Sequence, residues 1–345
     1  MRKIERKEDL FYSFDTDVDV SKLDRIRIKD VDLSTVDTDL LIFYDIEVFK
    51  HQSCVVFKKY DGSTDRIFTN NLSGLGSYID NRLIKEQGFQ GLREYLKGKI
   101  LVGYNNYHYD DYILNVMSNK MKKEAEKYRQ VTIKALNDMI ISGRSISGFN
   151  RVDQLSLDCY QQIDVSRPSL KYVEGNMGKS IIESSVDFTI DRELTPDENL
   201  QTIKYCEYDV SQTIDIFKMR RDYFNFKQMV VLMLSENIQD KAIYWNTTSI
   251  TGQVFKWRKG TQPSNYALNP TYLYDLVPPE VADFWSEVEN VLKFDEYKFK
   301  KKSCTMKLFG NVVTFAWGGL HGAPDRYIER KNVKLLDVGL TYWLN

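Results

Sequence analysis

The chain of 345 residues carries 48 Lys and Arg against 49 Asp and Glu, a formal charge of −1, so no whole-molecule field draws it to nucleic acid and any such binding must come from local patches. Hydrophobic residues make up 42% and charged residues 28%, the balance of a globular chain with a real core and room for one large or two ordinary domains. Four widely spaced cysteines (Cys54, Cys159, Cys206, Cys304), with no CxxC pair, argue against a zinc site or a disulfide scaffold and suit a reducing cytoplasm; the charged N-terminus is no signal peptide, and no apolar run approaches the about 18 residues of a membrane span.

Residues 1–38 are polar and mixed in charge, and are expected to form a surface arm. "LLIFYDIEVF" (40–49) reads as a strand whose apolar continuity places it centrally in a sheet, buried on both faces. "SCVVFKKY", "DGST" and "DRIFTN" read as a hairpin with Asp61-Gly62 at its turn. "FQGLREYLKG" (89–98) predicts a short helix ending at Gly98, "KILVGYN" (99–105) a strand, "DDYILNVMSN" the start of a helix, and "VDQLSLDCY" (152–160) another strand.

The best-defined helix starts at Thr195. Thr195-Pro196-Asp197-Glu198 combines an N-cap, Pro at the first helical position and Glu at the third, a capping box. Leu200, Ile203, Val210, Ile214 and Phe217 then recur at helical spacing. This order predicts an α/β domain over 39–225, a mixed sheet flanked by helices. After residue 226 the texture turns loop-rich and basic residues outnumber acidic ones 15 to 12, so a boundary is expected near 225 and a second segment over 226–345.

Asp45 and Glu47 interrupt the first strand. Residues two apart on a strand project together, so these carboxylates sit side by side and repel unless a cation such as Mg²⁺ lies between them. "GYNNYHYDDYIL" (103–114) follows a strand with an Asn-rich turn and a helix, placing Asp110 or Asp111 at the junction; Asn105 and Asn106 offer amides, and Tyr107 and Tyr109 offer rings for stacking. In "KYCEYDV" (204–210), Tyr205 and Asp209 are four apart and share a helix face. Taken singly, each piece has a bland explanation: two solvated acids, a helix cap, a buried Tyr beside a surface Asp. "DRE" (191–193), in a polar stretch with no strand behind it, is such a decoy.

Taken together, "DIE", "NNYHYD" and "YCEYD" resemble the three motifs of DEDDy 3′–5′ exonucleases, and residues 40–220 resemble the proofreading domain of family B DNA polymerases, phage type. The resemblance implies a ribonuclease H-like fold. It implies that Asp45, Glu47, Asp110 and Asp209 hold two Mg²⁺ or Mn²⁺ ions about 3.5–4 Å apart, which generate hydroxide and stabilise the leaving 3′-oxygen. Tyr205 would orient the nucleophile, and 5′-mononucleotides would leave from a single-stranded DNA 3′ end. Asn105 or Asn106, with Tyr109, would hold the terminal nucleotides. Lys171, in "PSLKYVEGNMG", falls where protein-primed phage polymerases place a Lys on the scissile phosphate, although the local match is loose.

Beyond 225, "FKWRKG" and "KFDEYKFKKKSCTMK" interleave Lys with aromatics in a pattern suited to single strands. Gly318-Gly319, in "FAWGGLHGAPDRYI", resemble the glycine pair that contacts template between exonuclease and polymerase modules. "KLLDV" fits a strand ending in the first polymerase metal ligand, Asp337, but the turn that should follow and the second acidic motif are missing. The expected protein is therefore the N-terminal portion of such a polymerase, truncated, frameshifted or split. It would be an exonuclease in the cytoplasm that acts on primer-template DNA and makes no DNA alone, with a second chain supplying the remaining motifs if it is split. A free-standing nuclease on DNA or RNA, or an idle DNA-binding subunit, are the competing expectations.

Overall fold

The structure, a computed structural model, describes residues 20, 23–76, 78, 88–120, 123–163, 168–255, 279 and 283, and three strands within 303–324. The chain divides into two compact units, Met1–Trp257 and Arg258–Asn345. Among the described residues no helix is long and apolar enough to cross a membrane.

The first unit is built on a five-stranded mixed sheet. Its strands are β1 (Leu41–Val48), β2 (Ser53–Lys59), β3 (Thr64–Thr69), β4 (Ile100–Gly103) and β5 (Ser156–Asp158), in spatial order β3-β2-β1-β4-β5. β1 is central, as its unbroken apolar run predicts. It pairs antiparallel with β2, setting Asp45 opposite Val56 and Glu47 opposite Cys54, and parallel with β4, setting Phe43 beside Val102. The β2–β3 hairpin turns at Asp61, whose Oδ1 accepts hydrogen bonds from the Ser63 amide at 2.8 Å and the Ser63 hydroxyl at 2.6 Å.

Side chains of β1 alternate between two cores. Leu41 and Phe43 pack with Val56, Ile203, Val210 and Phe217, the last three from helix Pro196–Met219. Ile42, Tyr44, Ile46 and Val48 pack with Ile113, Leu114 and Met117 of α1 (Asp110–Ser118) and with Ile133 and Leu136 of α2 (Arg129–Ile141). Helices thus cover both faces. The next helices are α3 (Leu170–Asn176), α4 (the Pro196–Met219 helix), α5 (Asp222–Leu232), α6 (Glu236–Ala242) and α7 (Thr247–Val254).

Two expectations about domain extent change. Residues 23–38 are no free arm: Ile26, Ile28, Val31 and Leu33 are buried in the α4-side core. Buried Gln228 of α5 fixes this segment, donating to the Ile28 and Val31 carbonyls at 2.7 and 2.6 Å while its Oε1 accepts from the Leu33 amide at 2.9 Å. Likewise the first unit runs past 225 to Trp257, because Phe224, Val231, Leu234, Ile243 and Ile250 of α5 to α7 and the turns between them close the same core. The expected helix over 89–98 shrinks to a single turn, Leu92–Tyr95. In the second unit the described strands β6 (Ser303–Leu308), β7 (Asn311–Ala316) and β8 (His321–Pro324) form an antiparallel sheet in that order.

Candidate functional site

The capping box at the start of α4 forms as the sequence predicts. The Thr195 side chain accepts from the Glu198 amide, and Glu198 Oε2 accepts from the Thr195 amide at 2.8 Å. Further along, Lys58 Nζ donates to Ser211 Oγ at 2.7 Å and Thr64 Oγ1 to Glu207 Oε1 at 2.6 Å, which lock the helix against the hairpin. That rotation turns Tyr205, Cys206 and Asp209 toward the sheet face that carries Asp45 and Glu47.

The second motif is shaped by a tight turn after β4. A Cβ on Gly103 would lie 2.7 Å from Asn106 Cβ and Cγ, so only glycine lets Asn106 fold back there. Asn105 adopts a left-handed conformation, φ +58°, the one non-glycine residue to do so among the described residues. Its amide donates at 2.7 Å to Asp158 Oδ1, which also accepts from the Tyr160 amide at 2.9 Å.

This turn separates the two acids and the two asparagines. Asp111 faces inward, its Oδ1 accepting from Tyr44 Oη at 2.5 Å, Ser156 Oγ at 2.9 Å and Asn106 Nδ2 at 3.1 Å. Asn106 is buried in the same network, donating also to Ser156 Oγ at 2.8 Å. Asp110 and Asn105 line the open side instead. Tyr107 is buried with its hydroxyl on the Ser156 carbonyl at 2.6 Å, whereas Tyr109 lines the cleft and donates to Asn137 Oδ1 at 2.5 Å.

The result is a cleft of about 690 Å³ with Asp45, Glu47, Asp110 and Asp209 in its wall. These four carboxylates come from three separate stretches of chain. Asn105, Tyr109, Tyr104 and Tyr160 complete one side, and Ser169 and Leu170, at the start of α3, another. Tyr104 and Tyr160 meet edge to face with centroids 5.9 Å apart. Lys171 Nζ donates to Asp209 Oδ1 at 2.5 Å, lies 3.4 Å from Glu174 Oε1 and sits 4.9 Å from the centroid of the Tyr205 ring. Expected residues Asp45, Glu47, Asp110, Asp209, Tyr205, Lys171, Asn105 and Tyr109 therefore gather here. Asn106 does not; its part is to hold the turn. Gly318, Gly319 and Asp337 lie outside the described residues.

More carboxylates meet here than one ammonium can balance, and the protonation equilibria respond. Burial, then the charge of Asp209, pushes Asp45 up to about 7. Burial and then Asp45 raise Glu47 and Asp110 well above the usual carboxylate range. Burial raises Asp209 too, with Lys171 opposing it. The Tyr205 phenol is raised by burial and by Asp209, so it stays protonated at neutral pH. Asp110 Oδ1 is buried without a hydrogen-bond partner among the described residues. Four carboxylates with a buried orphan oxygen on Asp110 are donors of the kind a hard divalent cation takes, and the Cys206 thiol lies beside two of them.

Sequence reasoning missed Asp158 and Cys206. Asp158 sits at the C-terminal end of a strand, the same signal that marks Asp45, but its partners are the nearby Tyr160 amide and the Asn105 amide of a distant turn. Cys206 lies inside the third motif, its thiol 3.3 Å from the Asp45 carbonyl oxygen. Comparison with protein-family models finds no match for the chain, and comparison with curated proteins finds none either.

Proposed function

We propose that the first unit is a metal-dependent 3′–5′ exonuclease of the DEDDy type with a ribonuclease H-like fold. The observation that carries this reading is the convergence of Asp45, Glu47, Asp110 and Asp209 on one cleft, from positions spread over 165 residues of sequence. The strand order β3-β2-β1-β4-β5, with β2 alone running against the other four, is compatible with that fold.

Asp45, Glu47, Asp110 and Asp209 would hold two Mg²⁺ or Mn²⁺ ions, which when bound supply Lewis-acid stabilisation of the phosphate and a lowered pKa for water. The chain's own residues do the rest. Tyr205, kept protonated, holds the attacking water beside Asp209. Lys171, already at Asp209, offers its ammonium to a non-bridging phosphate oxygen. Asn105, whose side chain is presented to the cleft by a left-handed backbone, and the Tyr109 ring hold the terminal sugar and base. The Tyr104–Tyr160 wall provides ring faces for stacking a single strand. The products are 5′-mononucleotides released from DNA 3′ ends.

The wider reading is a phage-type family B DNA polymerase, cytoplasmic, with primer-template DNA as partner. It rests on the sequence motifs, including Gly318, Gly319 and Asp337. The nuclease reading is tested by digesting a 3′-labelled single-stranded oligonucleotide with Mg²⁺. Asp45→Ala should lose on the order of 100-fold or more in rate. Equal product from wild type and variant would remove the site assignment.

A further inference from the structure

The four-carboxylate scheme leaves Cys206 unused. It is fully buried one residue after Tyr205 on α4, its Sγ 3.5 Å from Asp45 Oδ2. Ligand atoms of Asp45, Glu47 and Cys206 all lie within 4.8 Å of one another. Glu47 is only 7% exposed, lines the cleft, and its carboxylate accepts no hydrogen bond among the described residues. A carboxylate so placed, with no donor to it among the described residues and a thiol beside it, is disposed to take a cation.

In a tetrahedral site, a thiolate about 2.3 Å and a carboxylate oxygen about 2.0 Å from the ion stand about 3.5 Å apart. The Cys206 Sγ to Asp45 Oδ2 separation has that value. Mg²⁺ demands an octahedral oxygen shell and gains nothing from sulfur, whereas thiolate ligands select softer cations. We propose that Asp45, Glu47 and Cys206 form a mixed carboxylate–thiolate site for a thiophilic divalent cation of the Zn²⁺ class. Binding replaces the Cys206 S–H bond with a sulfur–metal bond, releases the proton to solvent and involves no redox change. Because Asp45 and Glu47 belong to both donor sets, a thiophilic ion and Mg²⁺ exclude each other. Under the nuclease reading such an ion is an inhibitor, but the site itself does not depend on that reading.

The test uses the full chain and Cd²⁺ alone, titrated while following thiolate-to-cadmium charge-transfer absorption. The expected result is a band saturating at one Cd²⁺ per chain. It should vanish in Cys206→Ser, persist in Cys54→Ser, Cys159→Ser and Cys304→Ser, and require at least ~10-fold more Cd²⁺ in Glu47→Gln. Circular dichroism verifies that each variant folds. No band in wild type, a band surviving in Cys206→Ser, or a band lost with another cysteine instead would overturn the proposal. Should Cys206→Ser not fold, unchanged Cd²⁺ affinity in both Asp45→Asn and Glu47→Gln would overturn it equally. Failure of the oligonucleotide digestion leaves this result standing, and an absent band leaves the nuclease reading standing.

Discussion

Lys171 and Asp209 form an ion pair at 2.5 Å inside the cleft, so one of the four clustered acids is already neutralised by the chain itself. Burial works against the Lys171 ammonium, yet Asp209 and Glu174 together hold its pKa above the ordinary lysine value. Lys171→Met should therefore destabilise the metal-free protein by ~1–3 kcal/mol, because Asp209 is left buried without its partner. Saturating Mg²⁺ should recover most of that loss. Urea unfolding of wild type and variant, with chelator and with Mg²⁺, checks it; an equal deficit in both conditions would show that the lysine does not stand in for a cation.

The raised carboxyl pKa values make a statement about stability. Burial leads in all three: Asp45 and Asp158 are pushed up to about 7 and Asp111 to about 6. The folded state therefore holds protons that the unfolded chain, with carboxyl pKa values near ~4, has released. Their contribution is fully present below pH ~4 and is lost as pH rises through about 7, since the native state binds more protons in that window. Metal-free protein should unfold at lower urea at pH 7.5 than at pH 5, whereas the gain from added Mg²⁺ should be larger at pH 7.5. Equal midpoints at the two pH values in chelator would contradict the protonated cluster.

Lys227 of α5 works in the opposite sense and in a different window. It is buried and donates to Gln161 Oε1, and desolvation lowers its pKa to about 7 despite Asp158 nearby. The unfolded lysine titrates near ~10.4, so the unfolded state binds more protons between about 7 and 10 and stability rises with pH there. Lys227→Met should remove that rise and raise stability at pH 7. A variant that keeps the wild-type slope between pH 7 and 10 would place the effect on another group.

Gly103→Ala introduces a Cβ 2.7 Å from the Asn106 side chain. Asn106 must shift, and with it the contacts to Asp111 and Ser156 that separate Asp110 from Asp111. A loss of ~1–3 kcal/mol is expected from this overpacking and, under the proposed nuclease function, a fall in rate that exceeds any change in oligonucleotide affinity. Wild-type stability and rate together would mean that the turn is not what aims Asp110.

What could be read from the sequence follows from how local the cause is. The position of β1 and the pairing of Asp45 with Glu47 come from strand alternation alone, and the start of α4 from four adjacent residues. The choice of Asp110 over Asp111, and of Asn105 over Asn106, is made by Tyr44 and Ser156, on strands remote in sequence. α2 was illegible because its buried set includes Arg129 and Asn137 beside Ile133 and Leu136, a poor apolar stripe. Residues 26–33 hid their burial behind charged neighbours; Gln228, 195 residues from Leu33, supplies the hydrogen bonds that keep them down.

Asp158 ties together two stretches of chain on one side of the cleft, and it does so through main-chain amides of Asn105 and Tyr160. The backbone on this side of the cleft is thus held without help from the side chains of residues 105 and 160. Position 160 is free to exchange its aromatic ring for another group while the frame stays put; position 105 is narrower, confined to the few residues at ease with a left-handed backbone. Ligand preference in this scaffold is therefore adjustable at one rim residue, whereas replacing Asp158 would deform the rim as a whole.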